Sequence, residues 1–382
     1  MFPGAGNAEL WKGRIASACG LCLALLCISC GTIRSFGWDP GNERMERIRQ
    51  SPNWEGGRFR NRTSCNRSDP GLISLSFGLL SSGGKARPSC EVPSVRTDLH
   101  GLDRNTDCAV WFGHSSLFLQ AGGVRYLVDP VLSNAWPQRM LLKAFRGTLA
   151  YTPDDIPDVD VLIITHNHWD HLDYFSITAL KDRVDLFVCP LGVGGHLEYW
   201  GCAPEKIREL DWDDSLVLKS GASIHCLTAV HDSRRFLKKN NTLWMAALIE
   251  SPSSDILGRI FISGDGGFGG HFAQIPGRFG PIDLAVMENG QYDAVPGSDH
   301  SRPEELVKEL EMLSPKMVLP YHNSKYSLSK HPWSEPMDYL FENSKGKPYI
   351  LLNPMIGELV DFSAGILPST PWWRKMDCYK GN

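Results

Sequence analysis

No charge of one sign dominates this chain: 39 lysines and arginines stand against 43 aspartates and glutamates, a formal net charge of −4 over 382 residues. The broad basic field that attracts a polyanion is missing, so nucleic acid is not an expected partner. Long apolar runs are missing as well, apart from one near the N-terminus. No internal repeat is evident, which sets aside repeat architectures. Closely spaced cysteines are lacking beyond the N-terminus. Of 11 cysteines, the seven from Cys65 to Cys378 are scattered and contain no CxxC pair, so neither a zinc ribbon nor a disulfide framework can be read from them. An odd number in an exported chain leaves at least one thiol free or paired between chains. What remains is ordinary globular composition, 42% hydrophobic and 21% charged, in a chain long enough to bury a full core.

The one apolar run, "IASACGLCLALLCIS" at 15–29, follows Lys12 and Arg14 and is short for a bilayer-spanning helix. A charged stretch, an apolar stretch and small residues make the order of an export signal. Cys30 stands where a bacterial lipoprotein is cleaved and acylated, although Cys27 replaces the usual Leu three positions upstream. The expectation is an exported, membrane-anchored lipoprotein with residues 1–30 as its signal. The alternatives are a secreted soluble protein, an uncleaved anchor, or an apolar helix packed on the core.

Residues 31–104 are rich in Gly, Ser, Pro, Asn and Arg and read as a loosely structured lead-in. From about 105 to 365 the texture changes to short apolar runs ended by turn residues, and 366–382 reads as a C-terminal tail. Candidate strands are "AVWF", "SLFLQ", "VRYLVD", "DVLIIT", "DLFVC", "TLWMAALI", "RIFIS", "DLAVM", "KMVLP" and "YILL". In "SRPEELVKELEML", Ser301 is placed to cap a helix with Glu304 completing a capping box, and Leu306, Leu310 and Leu313 share one face. Strands alternating with helices over this length predict a single α/β domain.

Within "THNHWDHLD" (165–173), directly after an apolar run, lie His166, His168, Asp170 and His171. Neutral imidazoles and a carboxylate suit zinc and similar divalent ions, and alternate residues of a tight turn can face one ion while the next pair faces another. The competing reading is a solvated histidine-rich loop. His231, Asp265 and His322 each follow an apolar run. Singly, each is weak, because histidines and aspartates at strand ends usually serve turns. Together they complete two sets: His166, His168 and His231 for one ion; Asp170, His171 and His322 for the other; Asp265 as the bridge.

This ligand order resembles the metallo-β-lactamase superfamily. The segments at 51–61, 111–133, 158–173, 190–201, 209–212 and 322–336 are similar to the branch containing N-acyl phosphatidylethanolamine phospholipase D and its bacterial relatives. The resemblance implies a four-layer αββα sandwich of two mixed β-sheets with two Zn2+ at one edge, Mn2+ or Fe2+ being alternatives. Two departures fall beside the metals. Asn323, Ser324, Lys325 and Tyr326 replace the branch's Trp-Gly-Thr-Phe, and "VHDSRRF" replaces a more aromatic segment. His300 matches a histidine near the active site of the branch, where it would hold a substrate phosphate or protonate the leaving group; an exposed position at the helix start is the alternative.

Two ions about 3.5–4 Å apart can share a hydroxide and clamp the oxygens of a phosphoryl or carbonyl centre. The expected enzyme is therefore a zinc-dependent hydrolase, and the resemblance implies a phosphodiesterase of phospholipase D type acting on N-acyl phospholipids or related lipids at a membrane surface. Asp170, Asp265 and His300 are its candidate catalytic residues. A lactonase or β-lactamase-type hydrolase and a non-enzymatic metal-binding protein are the alternatives. A two-iron oxidoreductase is disfavoured, since those relatives carry Glu where His168 stands. Asp129 and His114 are placed to orient ligand imidazoles. His225 reads as a satisfied mid-strand residue, and His196 and His331 as incidental loop histidines. Trp372 and Trp373, beside Arg374 and Lys375, suit either an interfacial contact or a packed tail.

Overall fold

The computed structural model describes residues 32–38, 40–63, 84–134, 142–292 and 298–376. The expected signal with Cys30 lies outside the described residues, as does Cys378. Six strands come first: β1 (Cys108–Trp111), β2 (Leu117–Ala121), β3 (Val124–Val128), β4 (Val159–Ile163), β5 (Val184–Pro190) and β6 (Ile207–Leu210). Seven more build a second sheet: β7 (Ser215–Val217), β8 (Ser223–Leu227), β9 (Ala246–Glu250), β10 (Arg259–Ile262), β11 (Leu284–Glu288), β12 (Met317–Tyr321) and β13 (Ile350–Leu351). The chain then returns as β14 (Leu359–Asp361) to pair antiparallel with β1. The spatial orders are β14-β1-β2-β3-β4-β5-β6 and β13-β12-β11-β10-β9-β8-β7.

Both sheets start as antiparallel meanders and continue in parallel, from β3 in the first and from β10 in the second. Their strands read as near-continuous apolar runs because both faces are covered. Along β4, Val161 and Ile163 join the cluster shared with the second sheet, while Leu162 packs on the outer side with Ile177 and Leu180. Those two belong to a helix at Tyr174–Leu180, whose N-terminus is capped by the Asp173 carboxylate accepting from Phe175 N and Ser176 N. On the second sheet, the helix Pro303–Leu313 buries Leu306, Leu310 and Leu313 against the same large cluster. The result is a four-layer αββα sandwich.

Each of the ten apolar runs named above overlaps a strand. Three other expectations change. Part of the lead-in is ordered: a helix spans Asn42–Gln50, a ribbon pairs Trp54–Glu55 with Arg58–Phe59, and Ile48 and Phe59 are fully buried. Ser301 does not cap the helix. Proline at 303 starts it one residue later, the Glu305 carboxylate accepts from Arg302 N at 3.0 Å, and Ser301 donates to Glu309 instead. His196 is helical and buried, accepting from Trp38 N at 3.2 Å, and His331 accepts from Gln291 N while stacking on Tyr292. Trp372 and Trp373 are both buried, donating to Pro354 O and the Asp338 carboxylate, so they pack the tail onto the domain and do not face a lipid surface. His225 sits mid-strand with Nε2 3.0 Å from Glu250, as a satisfied residue would. Cys90 is disulfide-bonded, whereas Cys108, Cys189, Cys202 and Cys226 are buried free thiols.

Candidate metal centre

Parallel strands deliver their C-terminal ends to one edge of a sandwich, and side chains just beyond those ends converge there. Asp129 follows β3, the 166–171 turn follows β4, His231 lies beyond β8, Asp265 follows β10, Glu288 ends β11 and His322 follows β12. The turn is compact, with Leu172 N donating to His168 O at 2.9 Å. His114, Asp129 and His322 have left-handed backbones, at φ 53°, 42° and 63°, so strain is concentrated beside the cluster. Two of these residues lock together: His322 N donates to His114 O at 2.9 Å, and His114 N to Asn323 O at 3.0 Å.

The seven side chains expected as ligands meet in two groups. In one, His166, His168, His231 and Asp265 offer ligand atoms within 4.8 Å of one another; in the other, Asp170, His171, His322 and Asp265 do. Asp265 belongs to both. Its Oδ2 lies 3.0 Å from His171 Nε2 and 3.1 Å from His322 Nε2, and 3.8 Å from both His166 Nε2 and His231 Nε2. The residues fit a pair of divalent ions. His166 Nε2 and Asp265 Oδ1 are buried with no hydrogen-bond partner among the described residues, an arrangement costly to leave without a ligand.

Three imidazoles of the cluster, those of His171, His231 and His168, have an oxygen behind them. His171 Nδ1 lies 2.8 Å from Asp129, which also accepts from Thr165 N and Oγ1. His231 Nδ1 lies 3.0 Å from Asp299 O, and His168 Nε2 lies 3.1 Å from Asp232. That turns His168 Nδ1, and not Nε2, towards His231 Nε2 at 3.3 Å. His114 Nε2 sits 2.8 Å from Asp170 Oδ2, holding the carboxylate rather than joining the cluster.

Charge is balanced inside the cluster by protons. Burial lowers His171, but the carboxylates of Asp265, Asp129 and Asp170 outweigh it and leave the ring well above the ordinary imidazole value. His322 is raised to about 9, burial being outweighed chiefly by Asp265 and Asp170. Burial alone would raise Asp170 and Asp265, yet the surrounding imidazoles hold both well below the usual carboxylate range. His166 is depressed well below its ordinary value by burial and by its histidine neighbours. A divalent cation entering here would take over the role of those protons and release them.

His300 is not an exposed residue at a helix start. Its Nδ1 forms a short ion pair with the buried Glu288, and its ring lies 5.1 Å from His231 and 5.5 Å from His322. Burial is outweighed by Glu288, so His300 is raised to about 10. Gly267 makes this approach possible, since a Cβ there would stand 1.8 Å from Ser298 O. Sequence reasoning missed Glu288, which lies one residue past the quoted run "DLAVM". The strand-end rule that selected Asp265 would have found it. Asp232 was missed because only the turn of the chain brings it behind His168.

The sequence profile of the Beta-lactamase superfamily domain matches residues 124–323. The chain belongs to that superfamily. By family and donor set it is a metallo-hydrolase of the superfamily. An uncharacterized protein of Mycobacterium tuberculosis is 32% identical over 358 residues, 90% of this chain and 93% of that one. The N-acyl-phosphatidylethanolamine-hydrolyzing phospholipase D 1 of Caenorhabditis elegans is 30% identical over 253 residues, 61% of this chain and 68% of its own length. Among solved structures, CmlA, a diiron β-hydroxylase from Streptomyces venezuelae, aligns with a TM-score of 0.53 at 19% identity, over 67% of this chain and 54% of that one. This last likeness is one of fold alone, and the superfamily chain spans about half of that structure.

Proposed function

We propose that the protein is a binuclear zinc phosphodiesterase of phospholipase D type, acting on an N-acyl phospholipid or a related lipid. The observation that carries the two-ion reading is the pair of donor groups sharing Asp265, seven side chains being too many for one tetrahedral site. When bound, two such ions lower the pKa of a shared water and draw charge off a phosphoryl oxygen. The chain's own residues do the rest. Asp265 spans both groups and fixes their separation. Asp170, steadied by His114, holds the second group together. His300, kept protonated by Glu288, faces the site as a cation that can grip a substrate phosphate or hand a proton to the leaving oxygen.

Two observations support a lipid over a small cyclic ester. A relative at 30% identity is named for hydrolysing N-acyl phosphatidylethanolamine. Beside the metal-binding turn, Phe36 packs on Trp169 and Phe236, and around them Ile33, Trp38, Phe236 and Leu237 are 57–67% exposed. Such an apolar margin, with Arg34 and Lys238 in the same segments, suits an amphiphile with an anionic head. Among the described residues no helix is long and apolar enough to cross a membrane. On this reading the membrane contact is made by acylated Cys30 of an exported lipoprotein, a position outside the described residues.

Purified, zinc-loaded protein tested on N-acyl phosphatidylethanolamine, a chromogenic phosphodiester and a lactone decides the reaction. Phosphatidic acid release supports the proposal; lactone turnover without phosphodiester turnover replaces it with the cyclic-ester reading. Loss of membrane partitioning in Cys30→Ser supports the anchor, and an unmodified mature N-terminus elsewhere removes it.

A further inference from the structure

Arg235 is a buried cation that the reaction does not use. It lies four residues past His231, in a two-residue ribbon pairing Arg234–Arg235 with Lys238–Lys239, and is 3% exposed. Its guanidinium carbon sits 4.1 Å from the centre of the Trp169 ring and 5.1 Å from that of Trp200. Nη1 donates to Asn167 O at 3.1 Å and to Leu172 O at 2.9 Å. These carbonyls bracket the metal-binding turn, since Asn167 separates His166 from His168 and Leu172 follows His171. Trp169, under the guanidinium face, separates His168 from Asp170.

The other side of the fork reaches a different part of the chain. Nε and Nη2 both donate to Ser35 O, at 3.2 and 2.6 Å. Ser35 is itself held: Trp200 Nε1 donates to Arg34 O at 2.7 Å, and Trp38 N to His196 Nδ1 at 3.2 Å. One planar group thus ties segment 32–38 to segment 166–172 through three carbonyls and a stacked ring. Burying a guanidinium costs free energy, and the burial lowers Arg235 to about 9. That cost, borne beside a turn that must present four donors in fixed directions, is the motive for the assignment.

We propose that Arg235 is a positioning residue of the metal centre: it sets the shape of the 166–172 turn, with segment 32–38 as its second anchor. The proposal rests on the two-ion reading above. Lysine is not equivalent here, because a single ammonium cannot span carbonyls on opposite sides or stack in the same way.

The test uses the full chain as wild type, Arg235→Lys, Arg235→Met and Phe36→Ala. The last loosens segment 32–38 from Trp169 without touching a cation. Zinc affinity is measured by chelator competition, cobalt(II) absorption reports the ligand field, and hydrogen exchange follows 32–38 with and without zinc. All measurements are made well below each variant's melting temperature. The expected result is a roughly 10–100-fold loss of zinc affinity in both Arg235 variants, a range usual for groups behind metal ligands. A shifted cobalt spectrum, a smaller loss in Phe36→Ala, and zinc-dependent protection of 32–38 in wild type only should accompany it. Variants that melt earlier but bind zinc and cobalt as wild type does overturn the proposal, leaving Arg235 a role in stability alone. If wild type itself takes up no metal, the two-ion reading fails and the proposal falls with it.

Discussion

Asp129 Oδ2 stands 2.8 Å from His171 Nδ1, with neither side chain exposed to solvent. With Nε2 bound to a metal, the contact would keep the ring proton of His171 on Nδ1; Nε2 faces Asp265 at 3.0 Å. Because Thr165 donates twice to the same carboxylate, Asp129 links β3 to the start of the metal-binding turn. Asp129→Asn keeps the shape but presents an amide, which can turn its NH2 to the ring and demand the wrong tautomer. Zinc affinity of the group containing Asp170, His171 and His322 is expected to fall roughly 10–100-fold, with the other group less affected. Stepwise zinc titration against a chelator reads the two affinities separately; equal losses in both would contradict the division.

Asp265 joins the two donor groups, so its charge matters to both. Wild type should carry about two divalent ions per chain after reconstitution with zinc. Asp265→Asn should retain the fold, seen by circular dichroism, while metal content drops and hydrolysis falls by several orders of magnitude. Stoichiometry that stays near one in wild type with excess zinc would count against a binuclear centre.

His300 and Glu288 form one unit, and the two variants should differ in a way that separates their roles. His300→Ala should leave metal content unchanged and lower turnover roughly 10²–10⁴-fold, the range for losing a general acid or base. Glu288 also approaches His322 Nδ1 at 3.6 Å and accepts from Gly266 N at 2.7 Å, so Glu288→Gln should weaken metal binding as well as turnover. Metal loss in His300→Ala would make His300 a ligand and require the two groups to be redrawn.

Lys325 offers a pH signature that is read from stability and not from turnover. It is 1% exposed, donates to Phe112 O at 3.2 Å and Val131 O at 2.9 Å, and burial lowers it from 10.5 to about 8, partly opposed by Asp173. Between pH 8 and 10.5 the unfolded chain therefore holds more protons at this position than the folded one, and stability rises with pH across that window. Below pH 8 the full cost of the buried charge is present. Relative to Lys325→Met, wild type should gain on the order of 3 kcal/mol between pH 8 and 10.5. Denaturant midpoints of the two proteins at several pH values give the difference, and parallel curves would show that Lys325 keeps its ordinary affinity for a proton.

The alternation of short apolar runs with polar breaks was enough to define an α/β domain, because strands covered on both faces must be apolar along their whole length. The turn at 166–171 was legible for a similar reason: its four donors are packed into six consecutive positions, so local chain geometry alone brings them together. His231, Asp265 and His322 could be chosen only as residues following apolar runs, a weak signal for any one of them. Tertiary structure decided the rest. The parallel order of β10, β11 and β12 sets Asp265, Glu288 and His322 side by side, and no local rule links residues so far apart. It also decided that Ser301 does not cap its helix, that Trp372 and Trp373 are buried, and that Arg235 reaches both Ser35 and Leu172. A sequence records which donors exist and which lie within one turn. The directions of those donors are set by backbone carbonyls, stacked rings and buried counter-charges contributed from elsewhere in the chain, and these meet only when the two sheets close on one another.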